Sequence, residues 1–238
     1  MREAMAEQPK EPKRARVKVD MHSHSEYSPD SRTPLAAQLT AYKLAGIDVF
    51  CATDHNTIEG ALRLREMAKD IRVIVGEEVS SSDGEIVGLF LERPIPRDRS
   101  AEETVALIHE QGGLVSVPHP FSRNRLYHIR REALERVWPQ IDCIEVFNGR
   151  EAFASSNTRA EAFAKAHDIP GAVGSDAHRV IELGRSWIEM DDFIGRDDFI
   201  EKLRTGEVHG RLMGTAIHLA TRYDVFRKWL ARQLTRGA

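Results

Sequence analysis

Val17-Lys18-Val19-Asp20-Met21-His22-Ser23-His24 is the stretch whose reading decides the fold. Apolar and polar residues alternate up to Met21, the pattern of a strand, and successive side chains of a strand point to opposite faces. His22 and His24, two residues apart, therefore leave that strand on one side of its end. The same grammar recurs along the chain. Val49-Phe50-Cys51-Ala52 runs into Asp54-His55, Ile71 to Val75 into Glu77-Glu78, Leu114 to Val117 into Pro118-His119-Pro120, and Ala172-Val173 into Asp176-Ala177-His178. Asp30 follows the first histidine pair.

Five of the ten histidines thus stand near carboxylates in short polar clusters, each following an apolar run. A lone histidine beside apolar residues is ordinarily a hydrogen-bonded core or surface group, and one His-x-His is a frequent accident. Repetition is what points to a multinuclear metal site. Imidazole and carboxylate suit zinc, iron and manganese, and parallel α/β sheets present their ligands at the C-terminal ends of strands.

Between these strands lie helical patterns, at Pro34 to Ala45, Ile58 to Ala68, Ala101 to Gln111 and Ser155 to His167, the last with Ser156 or Asn157 near its cap. Glu85 to Leu91 and Ile144 to Phe147 read as further strands. Such alternation predicts an α/β fold of parallel βαβ units, either a barrel or a doubly wound sheet. Residues 1–16 are rich in Glu, Lys, Arg and Pro and read as a disordered charged tail. One folded domain is expected over 17–215. In residues 216–238, Leu219, Tyr223, Phe226, Leu230 and Leu234 recur at helical spacing among arginines, which predicts an amphipathic helix packed on the domain or on a second subunit of a homo-oligomer.

A net charge of -3 and a pI near 6.4 argue against a surface built as a whole to hold nucleic acid. No run approaches the roughly 18 apolar residues of a membrane helix, and the first residues carry no apolar signal core, so the expectation is a cytoplasmic protein without a membrane partner. Cys51 and Cys143 sit in apolar runs and read as buried thiols, neither disulfide nor thiolate ligands.

Taken in order, His22-x-His24, Asp30, Thr53-Asp54-His55-Asn56, Gly76-Glu77-Glu78-Val79-Ser80, His119 and Gly174-Ser175-Asp176-Ala177-His178 resemble the polymerase and histidinol phosphatase (PHP) superfamily over about residues 17–190. The resemblance implies a distorted seven-stranded β/α barrel with two or three divalent transition-metal ions (Zn, Mn or Fe) at the strand C-terminal ends. It also implies hydrolysis of phosphate esters. Carried over residue by residue, it puts His22, His24, Glu78 and Asp176 around one ion, Glu78 bridging to a second that also uses His119, and Asp30, His55 and His178 around a third. Glu78, Asp176 and His178 are the residues expected to carry catalysis. Glu77 and Glu78 cannot both face the site from an extended segment, and the family's Gly-x-Glu-hydrophobic-Ser motif selects Glu78.

One departure concerns Glu85, which stands where many relatives have a further histidine ligand. A carboxylate is competent for the same metals, so Glu85 is expected to replace it as an oxygen ligand, the alternative being a second metal bound more weakly. Asp54 is expected to orient His55 or a neighbouring ligand. Arg123, Arg125, Arg150 and Arg179, with Asn148, are candidates to hold substrate phosphate, since arginine matches phosphate with a fork of donors; for each arginine the bland alternative is solvated loop charge. His109, His128, His167, His209 and His218 lack cluster context and read as structural or surface residues.

The function expected is a stand-alone metal-dependent phosphoesterase acting by metal-activated water on a small phosphorylated metabolite, a nucleotide or a short oligonucleotide. Two other classes share the ligand set: a metal-dependent hydrolase of non-phosphate substrates, and a non-catalytic metal-binding module.

Overall fold

A computed structural model describes residues 15–123, 127–214 and 217. The expected tail and the C-terminal helix lie outside these residues apart from Ala15, Arg16 and Ile217, and Arg16 already belongs to the first strand. The strands that lead to the clusters are β1 (Arg16–Asp20), β2 (Val49–Ala52), β3 (Arg72–Ser81), β4 (Gly84–Leu89), β5 (Leu114–Val117), β6 (Cys143–Asn148) and β7 (Gly171–Gly174). Helices α1 (Leu35–Leu44), α2 (Glu59–Met67), α3 (Ala101–Glu110), α4 (Arg131–Val137) and α5 (Ala154–His167) connect or precede them. After β7 come β8 (Ser186–Asp191), α6 (Gly195–Leu203) and β9 (Glu207–Gly210).

The described residues form one nine-stranded sheet, in the order β7-β6-β5-β4-β3-β2-β1-β8-β9. The expected count of seven is corrected by β8 and β9. Neither is an apolar run: in β8 only alternate residues are buried, and β9 is mostly exposed, so neither carries the signal of the inner strands. The sheet is also not uniformly parallel, because β3–β4, β4–β5, β1–β8 and β8–β9 pair antiparallel.

Short β2 and β5 are buried at every residue, as inner strands covered on both faces should be; β2 is parallel to both neighbours, β5 only to β6. Strand alternation sorts the core into two clusters. Val19, Cys51, Ile74, Leu89, Cys143 and Val173 pack together with Phe199 and Leu203 of α6. Phe50, Val75, Val117 and Ile144 instead meet helix residues such as Leu39, Tyr42, Leu64 and Ala164. Where α3 begins, Ser100 and Glu103 form a reciprocal capping box. The start of α5 differs from expectation: Phe153 is the cap, and Asn157 instead accepts from the Asn148 N–H (3.1 Å) and donates to its carbonyl (3.3 Å).

The extension of β1 brings the sheet close to closure. Met21 N donates to Val173 O (2.9 Å), Asp176 N to His22 O (2.8 Å) and His24 N to Ala177 O (2.9 Å). The segment carrying His22 and His24 is thereby laid alongside the one carrying Asp176 and His178, the two ends of the ring.

Candidate metal centre

Asp20, the last residue of β1, ties those two ends together. Its carboxylate accepts from Ser175 N (2.9 Å) and from the Tyr42 hydroxyl (2.9 Å). Burial pushes it up to about 6, against the pull of these hydrogen bonds. Immediately beyond it, the Nε2 atoms of His22 and His24 stand 3.1 Å apart. Their other ring nitrogens are held from behind: His22 Nδ1 lies 3.2 Å from Glu145 Oε1, and His24 Nδ1 lies 2.9 Å from Ser28 Oγ. Partners at Nδ1 leave Nε2 to face the shared space, the arrangement of a metal-binding imidazole.

Glu78 lies within β3, not past its end, and is buried. Its Oε2 is 3.3 Å from His22 Nε2, 3.2 Å from His24 Nε2 and 3.3 Å from His55 Nδ1, while its Oε1 is 3.1 Å from His119 Nε2. Glu77 points elsewhere and accepts from Ile95 N (2.7 Å). His55 is brought alongside β3 by Asn56, whose backbone is left-handed (φ 56°), whose N–H donates to Glu78 O (3.0 Å), and whose amide pairs with both Ser80 N and Ser80 Oγ. Asp54 accepts twice from Ser25, at N and Oγ (2.6 Å each), and so fastens the turn after His24.

His119 and Asp176 also adopt left-handed backbone, at φ 29° and 52°. Non-glycine residues hold such conformations at a cost, and they cluster at functional sites. His119 N donates to Glu145 Oε2 (2.7 Å), so this one carboxylate supports both His22 and His119. Asp176 Oδ1 lies 3.4 Å from His24 Nε2, and Asn148 Nδ2 donates to Asp176 Oδ2 (3.1 Å) and to Glu145 Oε2 (2.9 Å). His178 Nε2 is 2.8 Å from Asp30 Oδ2, with His55 Nε2 3.5 Å from the same oxygen. Glu85, at the start of β4, is 3.8 Å from both His55 and His119.

Carboxylates this close to imidazoles shape both. Burial opposes charge on His22 and His55, yet Glu78 and its neighbouring acids outweigh it, holding His22 well above the usual range and His55 at about 10. Burial alone would raise Glu78 and Asp30, but the imidazoles hold both well below the usual carboxylate range. His178 goes the other way, to about 4, through burial and the adjacent Arg150 against the pull of Asp30. The donor atoms fall into four overlapping groups: His24, Asp30, His55 and His178; His22, His24 and Asp176; His22, Glu78 and His119; and His55, Glu78 and Glu85. Asp30 Oδ1 and His119 Nδ1 are buried without a hydrogen-bond partner among the described residues. A set of imidazoles and carboxylates gathered in this way fits divalent transition metals.

The candidate phosphate residues are dispersed. Arg150 is buried, its Nε 3.0 Å from Glu182 Oε2 and its Nη1 2.6 Å from His178 Nδ1. Arg123 is exposed and lies over the Phe153 ring (5.2 Å), Arg179 is half-buried beside His178, and Arg125 lies outside the described residues. Glu145, Ser28 and Glu182 were not singled out from sequence, and Asn56 only as part of the Thr53-Asp54-His55-Asn56 motif. Glu145 had a signal: an acid between Ile144 and Val146 in an apolar strand needs a partner. His109 pairs with Asp142, His167 with Trp138 and Phe163, and His209 with Trp187, all apart from these groups, while His218 lies outside the described residues.

The PHP domain model matches residues 20–147 and a PHP-associated model matches 154–208. The chain belongs to the PHP family. Similar proteins include two uncharacterized proteins of Methanocaldococcus jannaschii. MJ1587 is 38% identical over 56% of this chain and 82% of its own length, and MJ0417 is 31% identical over 74% and 71%. Among solved structures, a two-domain protein from Bacteroides vulgatus, described as containing a predicted PHP-like metal-dependent phosphoesterase, shares the fold with TM-score 0.64 and 17% identity. That match covers 94% of this chain and 74% of that one. PsfC from Pseudomonas syringae matches with TM-score 0.63 and 18% identity over 90% and 99%. An amidohydrolase from Chromobacterium violaceum matches with TM-score 0.57 and 18% identity over 70% and 89%. Among the described residues, no helix of this PHP protein is long and apolar enough to cross a membrane.

Proposed function

We propose that this PHP protein is a metal-dependent phosphoesterase that hydrolyses a phosphate ester of a small metabolite, a nucleotide or an oligonucleotide end. One observation carries the reading: Glu78 sits among four imidazoles, with one oxygen toward His119 and the other toward His22, His24 and His55. A carboxylate so placed would be suited to hold two ions at once. When bound, two or three ions of Zn, Mn or Fe supply an activated water, hold phosphoryl oxygens and offset charge on the leaving oxygen.

The chain's own residues prepare that chemistry. His22, His24, Glu78 and Asp176 form one ligand set, Glu78, Glu85 and His119 a second, and Asp30, His55 and His178 a third. Glu145 and Ser28 fix the faces that His22 and His24 present. Burial and Arg150 lower His178 to about 4, so its imidazole is neutral at neutral pH, the protonation state in which it would hold an ion. Arg150, anchored by Glu182, brings a positive charge to the side of Asp176 and His178. Arg123 and Arg179 are the more accessible arginines, suited to a phosphate outside the ions' reach, as is Arg125 by its place in the sequence.

The test is an activity screen with Mn, Zn and Fe against phosphomonoesters, phosphodiesters and short RNA, with amide and carboxylic ester substrates alongside. The expected result is two or three ions per chain by elemental analysis, and phosphate release that chelator abolishes and metal restores. Full activity in metal-free protein would end this reading, and turnover of amides alone would replace it with a non-phosphate hydrolase.

A further inference from the structure

The residue that deepens the metal reading is Glu85. It stands directly opposite Ser80 in the antiparallel β3–β4 ladder, while Glu78 pairs with Val87. Glu78 and Ser80, two residues apart, share a face of β3, and opposed residues of a ladder share a face as well. Glu85 therefore lies on the same side of the sheet as Glu78. It is held there by Glu85 N donating to Tyr127 O (2.8 Å), and by Gly84, whose φ of +124° and contact with the backbone of His128 and Ile129 leave no room for a side chain.

The two oxygens of Glu85 face different ligands. Oε1 lies 3.8 Å from His55 Nδ1, and Oε2 lies 3.8 Å from His119 Nε2. Glu78 spans the same pair, with Oε2 3.3 Å from His55 Nδ1 and Oε1 3.1 Å from His119 Nε2. Donor atoms that share one ion, each about 2.0 to 2.3 Å from it, lie roughly 3 to 4 Å apart in the common geometries. Each Glu85 oxygen is thus at sharing distance from a different histidine. An imidazole at this position would offer one nitrogen to one ion; the carboxylate reaches two.

We propose that Glu85 is a second carboxylate bridge, parallel to Glu78, joining an ion held at His55 Nδ1, the ring nitrogen opposite the one that faces Asp30, to the ion held with His119. This inference rests on the metal reading above and concerns how many ions one residue holds. It also makes both positions richer in oxygen, which shifts preference toward manganese and away from soft-ligand metals.

The experiment is stepwise titration of metal-free, full-length protein with Mn2+, followed by calorimetry, for wild type, Glu85→Ala and Glu85→His. Circular dichroism checks that each variant is folded. A bridge contributes to two binding steps, so Glu85→Ala is expected to weaken two steps by about tenfold or more each, at least the loss seen when a ligand's outer partner is removed. Glu85→His, with one donor, is expected to restore one of the two steps and leave the other weak. If Glu85→Ala fails to fold, Glu85→His alone decides. One weakened step in Glu85→Ala would make Glu85 a terminal ligand, and no weakened step, or wild-type binding by Glu85→His, would equally overturn the bridge. A wild-type protein that binds no Mn2+, Zn2+ or Fe2+ would instead overturn the metal reading itself.

Discussion

Glu77 and Glu78 are adjacent, both buried, and opposite in character. Glu78 faces four imidazoles and is held well below the usual carboxylate range despite its burial. Glu77, on the other side of β3, accepts from the Ile95 N–H, and burial pushes it up to about 7. The pair shows that burial alone makes an acid reluctant to ionise, and that surrounding imidazoles make it the anchor of a cation site. Chemistry at this wall comes from what faces each side chain, not from depth.

The sharpest way to break this contrast is to neutralise each acid. Glu78→Gln leaves buried histidines without their counter-charge, a class of change that costs about 3 to 5 kcal/mol. Loss of metal content and at least a hundredfold loss of phosphate release are expected, checked by elemental analysis and kinetics. Glu77→Gln should keep its metals, and equal losses in the two variants would show that the faces are not distinct.

Glu77 should report instead on stability. Its folded pKa, about 7, lies above its ordinary value of 4.5. A group raised in this way contributes stability that is fully present below the ordinary value and lost as pH rises through the folded one. Between pH 4.5 and pH 8, denaturation of wild type and Glu77→Gln should therefore diverge in favour of the variant, by up to about 3 kcal/mol. A difference that does not change with pH would remove the account of Glu77.

Glu145 tests whether support from behind matters as much as direct facing. Because it holds both His22 and His119, Glu145→Gln should weaken metal binding by about 10- to 100-fold while leaving full activity recoverable at high metal concentration. Calorimetry with and without excess metal separates this from simple misfolding, which excess metal would not rescue. The smallest effect is expected at the rim. Arg123→Ala should lower kcat/KM by less than about tenfold with unchanged metal content, since Arg123 is exposed and its stacking on Phe153 is of the kind worth about 0.5 to 1 kcal/mol. A change in metal content would place Arg123 nearer the ions than its exposure implies.

Much of this was legible in the chain. The bounds of β2 follow from a four-residue apolar run and those of β5 from an apolar run interrupted only by Ser116, and the order of the clusters at β1, β2, β5 and β7 follows from what terminates each run. Less legible were β8 and β9, whose exposed residues break the apolar pattern, and the antiparallel turn of β4 against β3. Glu145 showed only as an acid in an apolar strand, because its partners His22 and His119 are distant in sequence. The glycine at 174 is a further case: any side chain there would collide with Glu145 and His22, a constraint visible only once the barrel is assembled.

By itself the sequence determined the donors, their types and their order, because apolar runs, alternation and chain-breaking residues are local and can be read within a few positions. Only the tertiary structure decided which donors converge. His22 meets Glu145 across 123 positions, and His178 meets Asp30 across 148. Such meetings depend on strand register and on the near-closure of the sheet between Met21 and Val173, which no single segment encodes.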